Sequence, residues 1–275
     1  MKIFNRALSF LLIGAACTSC STNPYGPTNR AYKKQAKAFS KIYRATPPAL
    51  PGGESIQPGD QWVGTTNFSI RKPNYVVIHH TAQNSTDQTL RTFTLPRTQV
   101  SAHYVIGRDG KVYHMLNDYL RAHHAGVSKW GNASDLNSSS IGIELDNNGY
   151  EPFAEAQMTS LLQVLALLKK NHGIPDANFI GHSDIAPPRK VDPNPTFPWK
   201  RLAKNGFGLW PDSTAVDSLP ANFNPREALR IIGYDIKNMD AAIRAFKLHF
   251  VQTDLTPVLT EADKKVLYNL YRKYY

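Results

Sequence analysis

The sequence predicts an α/β fold, with helices packed on one sheet and a small group of three helices after it. Three observations predict this class. Apolar runs of strand length recur between residues 74 and 181, and a long amphipathic segment, Glu155–His172, lies among them. After Pro211 the strands stop, and three short segments with helix-capping residues follow.

The first residues have the pattern of a secretory signal. Lys2 and Arg6 form a positive start, and the apolar run Ala7–Ala16 is too short to span a bilayer as a stable helix. Both cysteines, Cys17 and Cys20, end this segment and resemble a bacterial lipoprotein site. We expect a signal over residues 1–20 and favour Cys20 over Cys17 as the lipidated residue. A plain cleaved signal with incidental cysteines is the alternative.

Composition limits the class of partner. The 275 residues are 41% hydrophobic and 19% charged, which suits a folded globular protein. A net charge of +11 favours anionic partners such as nucleic acid, acidic membrane or cell-wall polymer. No cluster of basic and aromatic residues resembles an RNA-binding signature, so no nucleic-acid partner is expected. Residues 21–60 are rich in proline, glycine, serine and basic groups, which predicts a tether with one helix near Ala31–Tyr43.

Five segments are predicted to be strands, in chain order. Asn74–His80 is a buried strand, and Val100–Ile106 and Lys111–Leu116 are joined by the hairpin signal Arg108-Asp109-Gly110. Ser140–Leu145 is the fourth, and a short strand before His182 follows the helix Glu155–His172, which Gly173 ends.

Three helices are predicted within residues 213–275. Asn224-Pro225 begins the first, which ends at Gly233, and Asn238 and Thr260 cap the other two. We expect these residues to form a small separate domain, after a main domain over 61–212.

The spacing of His182 and Asp192, ten positions apart, suggests a metal site. Zinc accepts histidine and aspartate, and catalytic zinc sites use three protein ligands so that water fills the fourth position. His79 can be the third ligand, although alternation along a strand leaves the choice between His79 and His80 open. If three such groups meet, the chain is a metal hydrolase. The alternative is a proline-rich surface loop with ordinary charges.

Glu144 has the surroundings of a general base. Ser140, Gly142 and Glu144 share one face of their strand, opposite Ile141, Ile143 and Leu145. A carboxylate beside two very small residues has open space in front of it. An exposed sheet face is the alternative.

These motifs resemble the type 2 N-acetylmuramoyl-L-alanine amidases. The resemblance is carried, in order, by Val76–Thr81, Ser101–Ile106, His124–Gly126, Ser140–Leu145 and Gly181–Pro187. It covers residues 61–212 and implies a mixed central sheet flanked by helices. Through Ala245–Phe250, residues 213–275 resemble the small peptidoglycan-binding helical module of lipoprotein members.

The resemblance implies roles position by position. His79, His182 and Asp192 match the ligands of one zinc ion (Zn2+), Glu144 the catalytic carboxylate and Lys190 the lysine near the metal. His124 matches a histidine that lines the substrate groove. Ala102 stands where one branch has a catalytic tyrosine, so Glu144 is expected to catalyse the reaction without that tyrosine. Separately, the charge and location of Arg189 suggest that it pairs with a carboxylate of the peptide stem.

The implied activity is zinc-dependent hydrolysis of the amide between N-acetylmuramic acid and L-alanine, in peptidoglycan or muropeptides, for cell-wall turnover (EC 3.5.1.28). We expect an exported monomer, anchored by lipid in the envelope at the outer membrane and facing the periplasm. The alternative is a non-catalytic peptidoglycan-binding protein of the same fold, which would not need the full set of site residues. A zinc peptidase of another fold lacks its His-Glu-x-x-His helix.

Overall fold

The computed structural model describes residues 23–44, 67, 69–212 and 218–274. It forms two units, Met1–Asn67 and Phe68–Tyr275. Within the first, helix α1 spans Gly26–Arg44 and buries none of its side chains, which confirms the helix predicted near Ala31–Tyr43. The predicted signal segment and its two cysteines lie outside the described residues. Among the helices that are described, none is long and apolar enough to cross a membrane.

The second unit is built on a five-stranded mixed sheet. The strands are β1 (Tyr75–His80), β2 (Tyr104–Ile106), β3 (Val112–His114), β4 (Ser140–Leu145) and β5 (Phe179–Gly181), in the spatial order β3-β2-β4-β1-β5. Strands β2, β4, β1 and β5 run parallel, and β3 pairs antiparallel with β2. The mixed sheet predicted from the family resemblance is therefore confirmed.

Helices cover the sheet and follow it along the chain. They are α2 (Thr86–Thr94), α3 (Leu136–Ser139), α4 (Glu155–His172), α5 (His182–Ile185), α6 (Trp199–Lys204), α7 (Pro225–Ile232), α8 (Met239–Phe250) and α9 (Glu261–Tyr274). Helix α4 has its predicted bounds, because Gly173 adopts the left-handed conformation (φ 63°) in which its N–H bonds back to Lys169. Asn224 and Asn238 cap α7 and α8 through their side chains, as predicted.

Several elements differ from the prediction, among them the unpredicted short helices α3, α5 and α6. For two others the cause is clear. The strand expected over Val100–Ile106 begins only at Tyr104, because Ser101 exchanges hydrogen bonds with the loop residue His123 rather than with a strand. Helix α2 was not predicted, since it is mostly polar. Its signal was the start Ser85-Thr86-Asp87-Gln88, in which the Ser85 hydroxyl accepts a hydrogen bond from the Gln88 N–H.

The two faces of the sheet have different coverings. One face carries Ile141, Ile143 and Leu145 into a core formed with α4. The other face carries Val77 into a second core, which it shares with α7, α8 and α9. The C-terminal helices therefore pack within the same compact unit as the sheet, and the domain boundary expected near residue 212 stays a prediction.

Candidate active site

The site lies where three parallel strands end at the same edge of the sheet. His79 and Glu144 pair in register near the ends of the neighbouring strands β1 and β4. His182 follows directly after β5, on the other side of β1. Asp192 arrives on the proline-rich loop, whose position is held by a hydrogen bond of 2.8 Å from the Ser183 N–H to the Asp192 carbonyl. Residues 113 positions apart in sequence are thus brought together.

Three donor atoms form a nearly equilateral triangle. His79 Nδ1 lies 2.9 Å from His182 Nδ1 and 3.1 Å from Asp192 Oδ2, and His182 Nδ1 lies 3.0 Å from Asp192 Oδ2. All three residues are buried. Tetrahedral coordination at zinc–ligand distances of about 2.0–2.1 Å places neighbouring donors ~3.3 Å apart. The triangle is therefore close to the size that a zinc ion requires.

A chain of hydrogen bonds assigns the proton on His79. The Leu136 carbonyl can only accept, so the Ser140 hydroxyl donates to it. The Ser140 oxygen then accepts from His124 Nε2–H (3.1 Å), and His124 Nδ1 accepts from His79 Nε2–H (3.0 Å). The proton of His79 is consequently on Nε2. Its Nδ1 lone pair points into the triangle.

His182 also has a proton on Nε2, and a different acceptor holds that proton. Its Nε2–H donates to the Ala125 carbonyl at 3.0 Å, so in the neutral ring the Nδ1 lone pair faces Asp192. Burial lowers the pKa of His79 to about 4, with the nearby His182 adding to the effect, so His79 is neutral near pH 7. Burial acts against ionisation of Asp192 and the neighbouring His182 and His79 act for it, so the pKa of Asp192 stays well below its usual range.

When both histidines are neutral, three lone pairs converge with no proton among them. Such an arrangement is repulsive by itself and is stabilised by a cation at its centre. Two neutral imidazoles and one ionised carboxylate are the protonation states that bind a metal. Across residues 23–44, 67, 69–212 and 218–274, this is the cluster of three histidine or acidic groups placed to hold a metal ion.

Glu144 stands beside this triangle with an unsatisfied oxygen. Its Oε2 is buried and accepts no hydrogen bond from any described residue. Burial raises the pKa of Glu144 to about 8; Asp192 adds to the rise and Lys190 opposes it. A bound dication would lower this pKa, because it favours the ionised carboxylate. A buried carboxylate oxygen without a hydrogen-bond partner is able to exchange a proton with a molecule bound nearby.

The other predicted residues, Lys190, Arg189 and His80, lie in three different environments. Lys190 is half-buried on the loop that carries Asp192, and its charge acts on both Glu144 and His79. Arg189 donates from Nη2 to the Ala125 and Val127 carbonyls, at 2.8 and 2.7 Å, so one nitrogen braces the loop that orients His182. His80 points away from the triangle and accepts from the Asn194 N–H at 3.1 Å.

His124 lies behind His79 rather than in an open groove. It is 9% exposed, and its ring packs against Gly142, where an added Cβ would lie 2.4 Å from the His124 Cγ. Only glycine fits at position 142 for this reason. The position of His124 suits an orienting partner of His79, and contact with substrate stays a prediction.

His124→Ala is expected to lower zinc affinity by about 10–100-fold, because His79 loses the acceptor that fixes its tautomer. Chelator competition on purified protein measures this. The matched control is His123→Ala, which removes the exposed neighbouring ring and should leave affinity unchanged. Zinc affinity equal to wild type in His124→Ala, with a raised KM for substrate, would instead assign His124 to the groove.

The sequence did not point to a second buried network, next to His182. Asp184 accepts hydrogen bonds from the Gly181 N–H (2.7 Å), the Tyr234 hydroxyl (2.8 Å) and His249 Nδ1 (2.8 Å). Tyr234 follows α7 and His249 belongs to α8, so C-terminal residues brace the turn that carries a candidate ligand. The motif Gly181–Asp184 was the visible signal, but nothing in it names partners 50 and 65 residues away.

Comparison with known proteins agrees with this architecture. Residues 69–195 match the family model described as N-acetylmuramoyl-L-alanine amidase. The chain is 36% identical over 209 residues to the N-acetylmuramoyl-L-alanine amidase AmiD of Escherichia coli. The aligned region covers 65% of this chain and 75% of AmiD. The chain belongs to the type 2 N-acetylmuramoyl-L-alanine amidase family. This amidase family is zinc-dependent, which agrees with the donor set formed by His79, His182 and Asp192.

Solved structures extend the likeness beyond the matched segment. The complex of E. coli AmiD with the substrate anhydro-N-acetylmuramic acid-L-Ala-D-gamma-Glu-L-Lys has a TM-score of 0.68 and 30% identity, covering 77% of this chain and 93% of that one. AMPDH3 of Pseudomonas aeruginosa, in complex with anhydromuramic pentapeptide, has a TM-score of 0.68 and 28% identity, covering 80% and 99%. The AmpD amidase of Haemophilus influenzae is 39% identical over 104 residues, and the match spans 56% of its length.

Proposed function

We propose that this chain is a zinc-dependent amidase that hydrolyses the amide between N-acetylmuramic acid and L-alanine, in peptidoglycan or its fragments. The observation that carries the proposal is the convergence of three buried metal-binding donor atoms beside the unpartnered Glu144 oxygen. The similarity to AmiD, solved with a muropeptide substrate, supports the same bond as the target.

The residues divide into ligands and reacting groups. We assign His79, His182 and Asp192 as the zinc ligands. Zinc bound there would lower the pKa of water to about 7 and polarise the attacked carbonyl. We assign Glu144 as the general base, which takes a proton from the attacking water through its unpartnered Oε2.

Glu144 then returns the proton to the leaving amide nitrogen. An amine anion is a poor leaving group, so protonation of this nitrogen is needed before the C–N bond breaks. The charge of Lys190 acts on both Glu144 and His79, so we assign its ammonium to stabilise the oxyanion that develops on the carbonyl. The retention of this complete set favours the enzyme over a non-catalytic binding protein of the same fold.

Defined muropeptides test the activity. Incubation with anhydro-N-acetylmuramyl-L-Ala-γ-D-Glu-L-Lys should release the intact tripeptide and the sugar, each identified by mass spectrometry. Release of shortened peptides would indicate a peptidase, and an unchanged substrate would favour the binding protein.

The organisation of the chain is also proposed. Residues 61–212 form the catalytic domain, and residues 213–275 form a helical module that contributes to peptidoglycan binding. The chain acts as a monomer in the bacterial envelope. A lipid on Cys20, followed by the tether 21–60, would hold the catalytic domain near the outer membrane, facing the periplasm.

Cys20→Ser should abolish lipid labelling and release the protein from the membrane fraction, since a thioether to lipid needs the thiol. Labelling of cells with a palmitate analogue, followed by fractionation, measures both effects. Cys17→Ser is the matched control and should leave them unchanged. The reverse pattern would assign Cys17, and unchanged labelling in both variants would rule out an anchor at either cysteine.

A further inference from the structure

A cavity of about 490 Å³ lies between the loop that carries Asp192 and helix α8. Its loop side is formed by Pro187, Pro188 and Val191, and its helix side by Ala241, Ala245 and Leu248. The walls are thus mainly apolar. Helix α8 lies outside residues 69–195, so this wall is not part of the segment that matches the family model.

Three side chains with N–H groups, those of Lys190, Arg244 and His80, face the cavity. Lys190 and Arg244 line it and bring two positive charges. His80 accepts a hydrogen bond at Nδ1, so its proton is on Nε2, which lies toward Gly149 in the cavity lining. No carboxylate of a described residue lines the cavity. Its chemistry complements an extended ligand with apolar groups, carbonyl oxygens and a free carboxylate.

Arg244 is held in place on the helix side. Its Nη1 donates to the Leu255 carbonyl at 2.8 Å, which fixes the guanidinium at the rim and leaves other N–H groups available. The asparagines in the lining are engaged elsewhere: Asn194 bonds Asn147 and Thr196, and Asn148 accepts from Tyr150 and Glu151. Arg244 is therefore the charged group that α8 offers to a ligand.

The cavity lies close to the reacting centre, because two of its lining residues interact electrostatically with the site. Lys190 acts on Glu144 and His79, and His80, although it points away from the triangle, is within reach of the charge of Asp192. A substrate with its scissile amide at the metal triangle would reach the cavity with the groups next to that amide. In a stem with a γ-linked glutamate, as in the substrate bound to AmiD, the glutamate α-carboxylate is free and lies close to the scissile bond.

We propose that helix α8 forms the far wall of the substrate site and that Arg244 is a specificity-determining residue, which binds a free carboxylate of the peptide stem. This inference rests on the proposed amidase function and deepens it. The stem lies with its apolar groups between the proline loop and α8, and its carboxylate pairs with the Arg244 guanidinium.

Calorimetry with the free tripeptide L-Ala-γ-D-Glu-L-Lys tests the inference. Arg244→Ala should weaken binding about tenfold, the loss expected for one charge-assisted hydrogen-bonded pair. Arg244→Lys keeps the charge and should recover part of the affinity. Arg226→Ala removes an exposed arginine outside the cavity and should bind like wild type. Thermal melting of each variant checks that the fold is retained.

Amidated peptides identify the carboxylate. Wild type should lose about tenfold in affinity when the recognised carboxylate, either that of the glutamate or that of the C-terminal lysine, becomes an amide. Arg244→Ala should bind that amide and the free acid equally. The inference is overturned if wild type does not bind the tripeptide, or if Arg244→Ala weakens every peptide by the same factor, the doubly amidated one included.

The tripeptide is the expected product, so its binding does not require turnover. Failure of wild type to cleave the muropeptide, with Arg244-dependent binding intact, would overturn the amidase and keep the stem site. If wild type cleaves the muropeptide but tripeptide binding does not depend on Arg244, the role of Arg244 is overturned and the amidase function is kept.

Discussion

Replacing Glu144 with glutamine is expected to reduce kcat by about 10²–10⁴-fold while zinc remains bound. The amide has the shape of the carboxylate but cannot take a proton from water or deliver one to the leaving nitrogen. Glu144 is not among the three converging donors, so the metal site should survive the change.

Steady-state hydrolysis of the defined muropeptide and metal analysis of the same sample measure the two effects together. Glu261→Gln, at a side chain that is 74% exposed on α9, is a matched control and should retain full activity. Near-normal turnover by Glu144→Gln would remove Glu144 from the role of base. Loss of zinc from the variant would instead assign Glu144 to the metal site.

Asp192→Ala is expected to lower zinc affinity by about 10²–10³-fold. This estimate assumes that four ligands share the roughly 10–16 kcal/mol that structural zinc sites contribute. The variant leaves two imidazole lone pairs 2.9 Å apart without the negative charge that balances a dication. Chelator competition followed by metal analysis measures the loss.

His80→Ala is the informative control for Asp192→Ala. His80 neighbours a candidate ligand but faces away from the triangle, so this variant should keep zinc near the wild-type level. If His80→Ala loses zinc while Asp192→Ala keeps it, the ligand set drawn from the triangle is wrong.

Local signals predicted much of the fold. The bounds of β4 and α4 follow from alternation and from a glycine stop, and the caps Asn224 and Asn238 predicted their helices. These features depend on neighbouring residues, so the sequence contains them. The start of β2 depends instead on a distant contact, because Ser101 pairs with His123 in a loop 22 residues away.

The candidate site was predictable only in part, for a similar reason. Periodicity alone could not choose between His79 and His80, and it is the register of His79 beside Glu144 that puts one of them at the triangle. The family motifs named His124, but not its place behind His79. The braces on Asp184 come from Tyr234 and His249, and such contacts depend on how the C-terminal helices pack.

Anomalous diffraction at the zinc edge tests the central claim most directly. Crystals of the protein prepared with zinc should show one strong peak bonded to His79 Nδ1, His182 Nδ1 and Asp192 Oδ2, next to the Glu144 carboxylate. No peak there, or a peak bonded to His80 in place of His79, would contradict the account.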